Sequence, residues 1–501
     1  MSQRVVIIGS GLGGLLSAVF LAKEGYQVKI LEKNKQVGGC LQSFAFDKKV
    51  FDSAVHYIGS LAPGQVLHRV FDYAGIMHQL RLKQLDESCF DKIAFGDAPS
   101  TFAWAQGLPR FKASLIAAFP QEQEAINQYL ELLEQSCAAV PLFNLRMGTE
   151  AEKYPYSEWS LSEVMGRIGA SEALQSVLTG NAILYAGKEQ QTPWLSHALV
   201  SKSYIDSAWR CEGGASQIAK LLWRQLRVLG GSIERHEEVC RLSTREGKIV
   251  SAVTRSGKCY EGDIFIANVH PKMLVPLLDE PTLLSKVYRQ RLSSAKETIA
   301  CVMLNIALAP GMVRYRNHNF NWFATNPLKA IEGLNEHFPV NYAIYYTEDA
   351  KRPGFAESVS ILAYINAEAF ADWEGSRNTS LQPQHRGTDY EMYKNEIANK
   401  LLDKVAERFP ELRANCRAWR LASPLTFRDY QGAACGSLYG LLKDSQNAAA
   451  TNFSVKTRIP NLLLTGQNVN LHGILGVAMT AILSAGAVVG LEPLLSKIKA
   501  S

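Results

Sequence analysis

Hydrophobic positions change period several times along the chain, and the changes predict the elements. Val5 to Ile8 is a short unbroken apolar run rich in β-branched residues, the pattern of a strand buried on both faces. Leu15 to Lys23 places small and apolar residues at helical spacing, and Gly25 follows as a helix-ending residue. Gln27 to Leu31 reads as a second strand closed by Glu32. The stretch Leu41 to Phe51 alternates and predicts a hairpin, and Val66 to Tyr73 a short amphipathic helix. Pro120 opens a longer helix with acids early, at Glu122 and Glu124, to suit the dipole. Further helices are predicted at Leu161 to Met165, Glu172 to Leu178 and Pro193 to Tyr204.

From Cys211 the pattern returns to alternating α and β. A helix (Ser216 to Leu229) leads to a strand (Ser232 to Arg235), then a meander with turns at Glu246-Gly247 and Ser256-Gly257, then a buried strand within Gly262 to Asn268. Ile299 to Leu308, Tyr342 to Tyr346 and Ser358 to Ile365 read as strands, and Tyr390 to Phe409 as an amphipathic helix stopped by Pro410. In the tail, Leu462 to Leu464 is a buried strand and a helix begins near Gly473. Gly473 to Leu491 is apolar, uncharged and about long enough to cross a bilayer. Its Gly, Ala and Ser content and the motif before it favour a buried helix.

Between the first strand and helix stand Gly9, Gly11 and Gly14, a G-x-G-x-x-G. The first allows a tight turn, the second lets a pyrophosphate approach the backbone, and the third lets the helix pack against the strand. Alone the motif is weak. Here strand, glycines, helix, second strand and terminal acid follow in order, with Glu32 placed to bind a ribose hydroxyl. A dinucleotide site is therefore expected. Gly38-Gly39, six residues on, resembles the extended signature of glutathione-reductase-like FAD proteins and turns the choice from NAD to FAD.

Composition adds bounds. A chain of 501 residues is too long for one core, so two joined domains are expected. With 47% hydrophobic and 20% charged residues it is globular, not disordered. A net charge of +6 permits contact with anionic headgroups without requiring it, and no Lys/Arg tract interleaved with aromatics points to nucleic acid. Nine scattered cysteines without a C-x-x-C pair argue against a disulfide framework or metal site and fit a reducing compartment. The first strand starts too early for a signal peptide, so a cytoplasmic protein is expected, with peripheral membrane contact open. The aromatics Trp104, Phe111, Phe119 and Phe143 make the region after residue 66 greasy, as core, tunnel wall or membrane-facing surface. His56 and Tyr57, in FDSAVHYIGSLAPG, read equally as reaction-site lining or as loop rings hydrogen-bonded locally.

Four stretches, VVIIGSGLGG…EKNKQVGG, FDSAVHYIGSLAPG, ALVSKSYIDSAWRCEGGAS and NLLLTGQNVNLHGILGV, carry a resemblance over nearly the whole chain. It resembles the carotenoid desaturase, retinol saturase and carotenoid isomerase family of FAD-dependent oxidoreductases, within the amine-oxidase-like superfamily. The resemblance implies a glutathione-reductase-like FAD-binding Rossmann domain (1–75, 206–290 and 431–501) with an inserted α+β substrate domain (76–205 and 291–430). It implies FAD held by Gly9, Ser10, Gly11, Leu12, Gly13, Gly14, Glu32, Lys33, Gly38, Gly39, Val239 and Gly466. Gln467 or Asn468 would meet the ribityl chain, while Gly473 and the N–H groups of Ile474 and Leu475 would meet the flavin edge. It further implies an apolar, polyunsaturated or lipid substrate and saturation, desaturation or isomerisation of a carbon–carbon double bond, with His56 or Tyr57 supplying a proton. NAD(P)H as reductant would bind without a second fingerprint. Asn468 departs from the family's expected Asp, and Cys40 stands where a basic residue is common. The competing readings are an amine-oxidase-type flavoenzyme and a non-redox lipid-binding protein of the GDP-dissociation-inhibitor type.

Overall fold

The computed structural model describes residues 3–148, 158–335, 337–379 and 381–501. Arg4–Ile8 (β1), Leu12–Lys23 (α1) and Gln27–Glu32 (β2) form the opening unit. The helix starts before the predicted Leu15 because Gly11, extended at φ −64° and ψ 171°, serves as its N-cap directly off the strand. β1 and β2 lie inside a five-stranded parallel sheet in the order Ser232–Arg235, β2, β1, Ile264–Ala267, Leu462–Leu464. Successive side chains serve opposite cores. Val5, Ile7, Ile30 and Ile266 face α1 and the tail helix, whereas Val6, Ile8, Leu31, Phe265 and Leu464 pack beneath the meander residues Leu242, Ile249 and Ala252. Each buried side chain contributes about 1.5–3 kcal/mol, so double-sided burial explains the unbroken apolar runs.

The tail helix, Gly473–Val489, packs against α1 with residues from Leu475 to Gly486 buried, and Ser484 Oγ donates to Leu464 O at 2.8 Å. Its apolar composition serves that packing. No helix among the described residues is long and apolar enough to cross a membrane.

A second, seven-stranded sheet runs Cys416–Ala422, Ala300–Leu308, Ala356–Ile365, Asn341–Glu348, Asn319–Phe323, Asp91–Phe95, Thr101–Trp104. Its outer face (Phe320, Trp322, Tyr342, Ile344) packs on the helix Thr388–Ala406, and its inner face (Ile93, Phe323, Ala343, Tyr345) turns towards the helices of residues 108–206. The predicted strands at 299–308, 342–346 and 358–365 all belong to this sheet, but four of its strands were not predicted from the pattern. Asp91, Asn319 and Asn321 interrupt their apolar runs with buried polar side chains. Pro410 does not stop the preceding helix, which ends at Ala406. Pro410 instead begins a short helix, Pro410–Ala414, where its missing N–H costs nothing.

The predicted helices near 123, 161, 172 and 194 form Gln123–Ala139, Leu161–Arg167, Glu172–Leu178 and Trp194–Asp206. Ser160 and Glu163 close a capping box on the second of these. A three-stranded sheet, Ile58–Gly59, Ala208–Cys211 and Leu82–Gln84, ties the loop after the hairpin to the end of Trp194–Asp206. A Cβ on Gly59 would meet Ser203 Oγ at 2.5 Å, so glycine is what lets strand and helix touch.

Candidate functional site

Three backbone segments converge at the start of α1. Gly9, at φ +94°, donates its N–H to Leu31 O at 2.8 Å and turns the chain out of β1. Gly11 pairs with Gly38 in an isolated parallel bridge, and a Cβ on Gly39 would lie 3.2 Å from Gly11 Cα. A Cβ on Gly13 would lie 3.0 Å from Gly466 N, and one on Gly14 would lie 2.3 Å from Gly9 O. The glycines thus keep the N-terminus of α1 free of side-chain bulk and its N–H groups open to an anion.

Glu32 is buried at the end of β2. Its Oε2 accepts from Ser10 N at 2.9 Å and Ser10 Oγ at 2.5 Å, and its Oε1 accepts from Asn34 N at 2.7 Å. Ser10 Oγ also lies 3.3 Å from Gly38 N. An ionised carboxylate offers about four acceptor positions, so capacity remains for one ribose hydroxyl while the others fix the acid in place. Asn268, at the exit of Ile264–Ala267, donates from Nδ2 to Gly9 O at 3.1 Å and braces Gly13 and Gly466 from the other side. Sequence reasoning missed it. The available signal was a polar residue just past the carboxyl end of a buried parallel strand, where ligands of such sheets bind.

The other expected cofactor residues divide. Gly466 and Gly473 take φ of +100° and +76° at the strand exit and helix entry. Ile474, Leu475 and Gly476 line a pocket of about 410 Å³, counting space open to solvent, with His472, Ile58, Gly59, Leu184, Leu199, Val200, Ser203 and Tyr204. Gln467 is half-buried beside Asn468. Asn468 Oδ1 accepts from Leu441 N at 2.8 Å and so holds the chain passing Gly440. Lys33 Nζ reaches Asp429 O at 3.3 Å, and burial pulls its amine below the usual lysine range. Leu12 and Val239 are core side chains, Leu12 opening α1 and Val239 opening the meander. Cys40 Sγ lies 3.3 Å from Gln431 Oε1, with burial pushing its thiol up to about 11.

The buried Thr465 Oγ1, His472 Nε2 and His56 Nε2 have no hydrogen-bond partner among the described residues. Thr465 and His472 flank the tail element, and these donors and acceptors fit a polar, ring-bearing cofactor laid along it. The His472 ring rests on Tyr439 with centroids 4.6 Å apart, and burial pulls its pKa down to about 4, so the imidazole is neutral.

His56 and Tyr57 sit between this pocket and the inner face of the seven-stranded sheet. The His56 ring stacks on Tyr345 at 4.3 Å with planes 5° apart, and burial, with Arg210 nearby, pulls its pKa down to about 3. Tyr57 Oη donates to Asp91 Oδ2 at 2.8 Å, and burial pushes the phenol's pKa well up. Asp91 Oδ1 accepts from Asn319 Nδ2 at 2.8 Å, and Asn319 Oδ1 accepts from Arg210 at 2.7 Å. Burial lifts the Asp91 carboxyl to about 6 against the pull of those hydrogen bonds. Tyr204, on the pocket wall, lies 4.6 Å from the Tyr57 ring and directs its hydroxyl to Tyr57 O at 3.4 Å.

A glycine-lined helix terminus, an anchored acid at the end of β2 and a neutral, ring-lined pocket next to them are the arrangement of a dinucleotide-dependent oxidoreductase. The NAD(P)-binding Rossmann-like domain family matches residues 7–74. An all-trans-retinol 13,14-reductase of Rattus norvegicus is 26% identical, with 99% of this chain and 88% of that protein covered. A 4,4'-diaponeurosporene oxygenase of Staphylococcus aureus is 21% identical over 96% of each chain. Among solved structures, a putrescine oxidase variant redesigned in its cofactor binding superposes with a TM-score of 0.64 at 14% identity, covering 97% of this chain and 99% of that one. Along nearly its whole length the chain is thus similar to oxidoreductases named for retinol and carotenoid substrates.

Proposed function

We propose that the protein binds FAD in the α1 cradle and adds hydrogen across a carbon–carbon double bond of a long apolar polyene. The reading is carried by the pocket where the tail element, Leu471 to Gly476, meets the apolar helix face of Leu199 and Val200. Its polar groups, His472, Ser203 and Tyr204, are uncharged, as a substrate without ionic handles requires. The full-length similarity to a protein named for reducing retinol supports the substrate class and the direction.

In this reading Ser10, Gly11, Leu12, Gly13 and Gly14 meet the pyrophosphate through backbone N–H groups. Glu32 takes the ribose, and Gly38, Gly39, Gly466 and Gln467 border the chain between the rings. The N–H groups of Gly473, Ile474 and Leu475 face the flavin edge at the positive end of their helix. Lys33, Val239 and Asn468 act behind this shell, through the contacts their side chains already make. FAD bound here supplies a hydride to the carbon beside it. Tyr57 supplies the proton to the other carbon, because its hydroxyl has a carboxyl behind it. His56 is the second candidate, held neutral against Tyr345. The cofactor half is assigned to 1–75, 206–290 and 431–501, and the substrate half to 76–205 and 291–430.

The test is anaerobic. FAD-loaded protein, reduced chemically or with NADPH, is incubated with all-trans-retinol and with a carotenoid, and the products are weighed by mass spectrometry. Gain of two hydrogens supports the proposal. Loss of two hydrogens by the oxidised form, or a retention shift without mass change, replaces saturation with desaturation or isomerisation. Turnover of amines alone would overturn the polyene reading. Reduction by NADPH at a useful rate identifies the reductant, and binding to anionic vesicles tests peripheral membrane contact.

A further inference from the structure

The seven-stranded sheet contributes one carboxylate to the interior beside the pocket, and neither the cofactor cradle nor the fold accounts for it. Asp91 is fully buried on Asp91–Phe95 and has no ion-pair partner in contact among the described residues. Both its oxygens are instead used by neutral donors, Tyr57 Oη at 2.8 Å and Asn319 Nδ2 at 2.8 Å. The nearest cation, Arg210, is one residue removed, bonded to Asn319, to Tyr315 Oη at 3.2 Å and to Tyr346 O. A structural ion pair would bring guanidinium and carboxylate into direct contact. Placing an amide between them leaves the carboxylate anchored but able to change its charge.

We propose that Asp91 is a positioning residue that sets whether the Tyr57 hydroxyl donates or accepts a proton at the reaction site. The proposal rests on the reading of this pocket as a saturase site. With Asp91 ionised, the Tyr57 proton is held in the Tyr57–Asp91 hydrogen bond, and the phenol oxygen presents only lone pairs. With Asp91 protonated, its O–H donates to Tyr57 Oη and the phenol proton turns free. In saturation the cofactor's hydride brings the electron pair and one hydrogen to the first carbon. The Tyr57 O–H bond then breaks and a C–H bond forms at the second carbon. The Asp91 O–H proton passes to the phenolate as it forms, and solvent later reprotonates the carboxylate. The double bond is reduced, the reduced flavin oxidised, and the two protein groups return to their starting state.

Asp91 is faced by Tyr57 and Tyr204 from the pocket side, by Tyr345 and Asn319 from the neighbouring strands, by Cys89 on its own loop, and by Arg210 behind. Of these, Asp91 alone is poised to change charge near neutral pH, at about 6. The phenols are pushed up by burial, and Cys89 to about 11.

The decisive experiment joins a titration to a rate profile. Difference infrared spectroscopy of the FAD-loaded protein follows the protonated-carboxyl stretch against pH. We expect a band that titrates near 6, absent in Asp91→Asn and moved to higher pH in Tyr57→Phe, which loses the hydrogen bond that favours the carboxylate. Single-turnover saturation by the reduced enzyme should rise as pH falls through the same midpoint, and Asp91→Asn should flatten that dependence. A carboxyl band indifferent to Tyr57→Phe, or an Asp91→Asn profile that parallels wild type, overturns the proposal. If wild type saturates no polyene at any pH, the saturase reading has failed, and the infrared titration still decides whether Asp91 and Tyr57 share a proton.

Discussion

Gly14→Ala should separate the cofactor cradle from the rest of the fold. The added methyl would lie 2.3 Å from Gly9 O, 3.1 Å from Asn268 Nδ2 and 3.3 Å from Ile7 Cγ2. An ordinary C···O approach is ~3.3 Å, so α1 must retreat from β1 by about 1 Å. The helix is packed alongside the tail helix and the helix Ser216–Val228, so the retreat is resisted, and overpacking of this kind costs about 1–3 kcal/mol. In the apoprotein, part of that strain relaxes as the N-terminus of α1 swings away. Binding has to restore the geometry, so the cost reappears as weaker cofactor affinity, roughly 5- to 150-fold. Titration of the apoprotein with FAD, followed by flavin fluorescence, measures this directly. Gly25→Ala is the control. Its methyl meets nothing within 4 Å, and the residue's φ of +84° makes its cost conformational, about 1–2 kcal/mol of stability with FAD affinity unchanged. If Gly14→Ala binds FAD as wild type does and melts at the same temperature, the close packing ascribed to this glycine is wrong.

Other perturbations test neighbouring claims. Glu32→Gln puts an amide N–H against at least one of the donors from Ser10 and Asn34, and should weaken FAD binding at a cost of about 1–3 kcal/mol, read by the same titration. His56→Phe keeps a ring stacked on Tyr345 and should leave turnover within about threefold, a difference worth under ~1 kcal/mol; a far larger loss would make His56 the proton donor in place of Tyr57. Lys443 is buried with its amine pulled down to about 7 and bonded, among the described residues, only to carbonyls, including Thr451 O at 2.8 Å. Because its folded pKa lies below its unfolded one, the unfolded chain binds more protons between those values, and stability rises with pH from about 7 towards the ordinary lysine range. Lys443→Met should remove that rise from a series of melting curves, and an unchanged slope would refute the assignment.

Much of the parallel half was legible because double-sided burial writes itself as β-branched runs, as in Val5 to Ile8 and Leu462 to Leu464. The glycines were legible because backbone approach tolerates no other residue there. The Tyr57–Asp91–Asn319 cluster was not. Tyr57 meets Asp91 across 34 residues, and Asp91 meets Asn319 across 228, with nothing in the spacing of either to announce the contact. The strand that carries Asn319 hides its period because Asn319 and Asn321 are buried on its inner face, where apolar residues are expected. Asn268 was overlooked for the opposite reason: its strand was read correctly, but its side chain matters through backbone atoms of the cradle, which sequence periodicity does not encode.

The edge strand Leu462–Leu464 has a consequence for biosynthesis. The cradle glycines leave the ribosome first, but Gly466 and the helix Gly473–Val489 that close the site leave more than four hundred residues later. At ordinary elongation rates of roughly 5–20 residues per second, α1 waits tens of seconds for its permanent neighbour. Its nearly continuous apolar surface is exposed to chaperones or to self-association over that interval. Closure of the cradle must then wait for the tail element to emerge, and yield in the cell should depend on how well that half-built sheet is protected as well as on the stability of the finished protein.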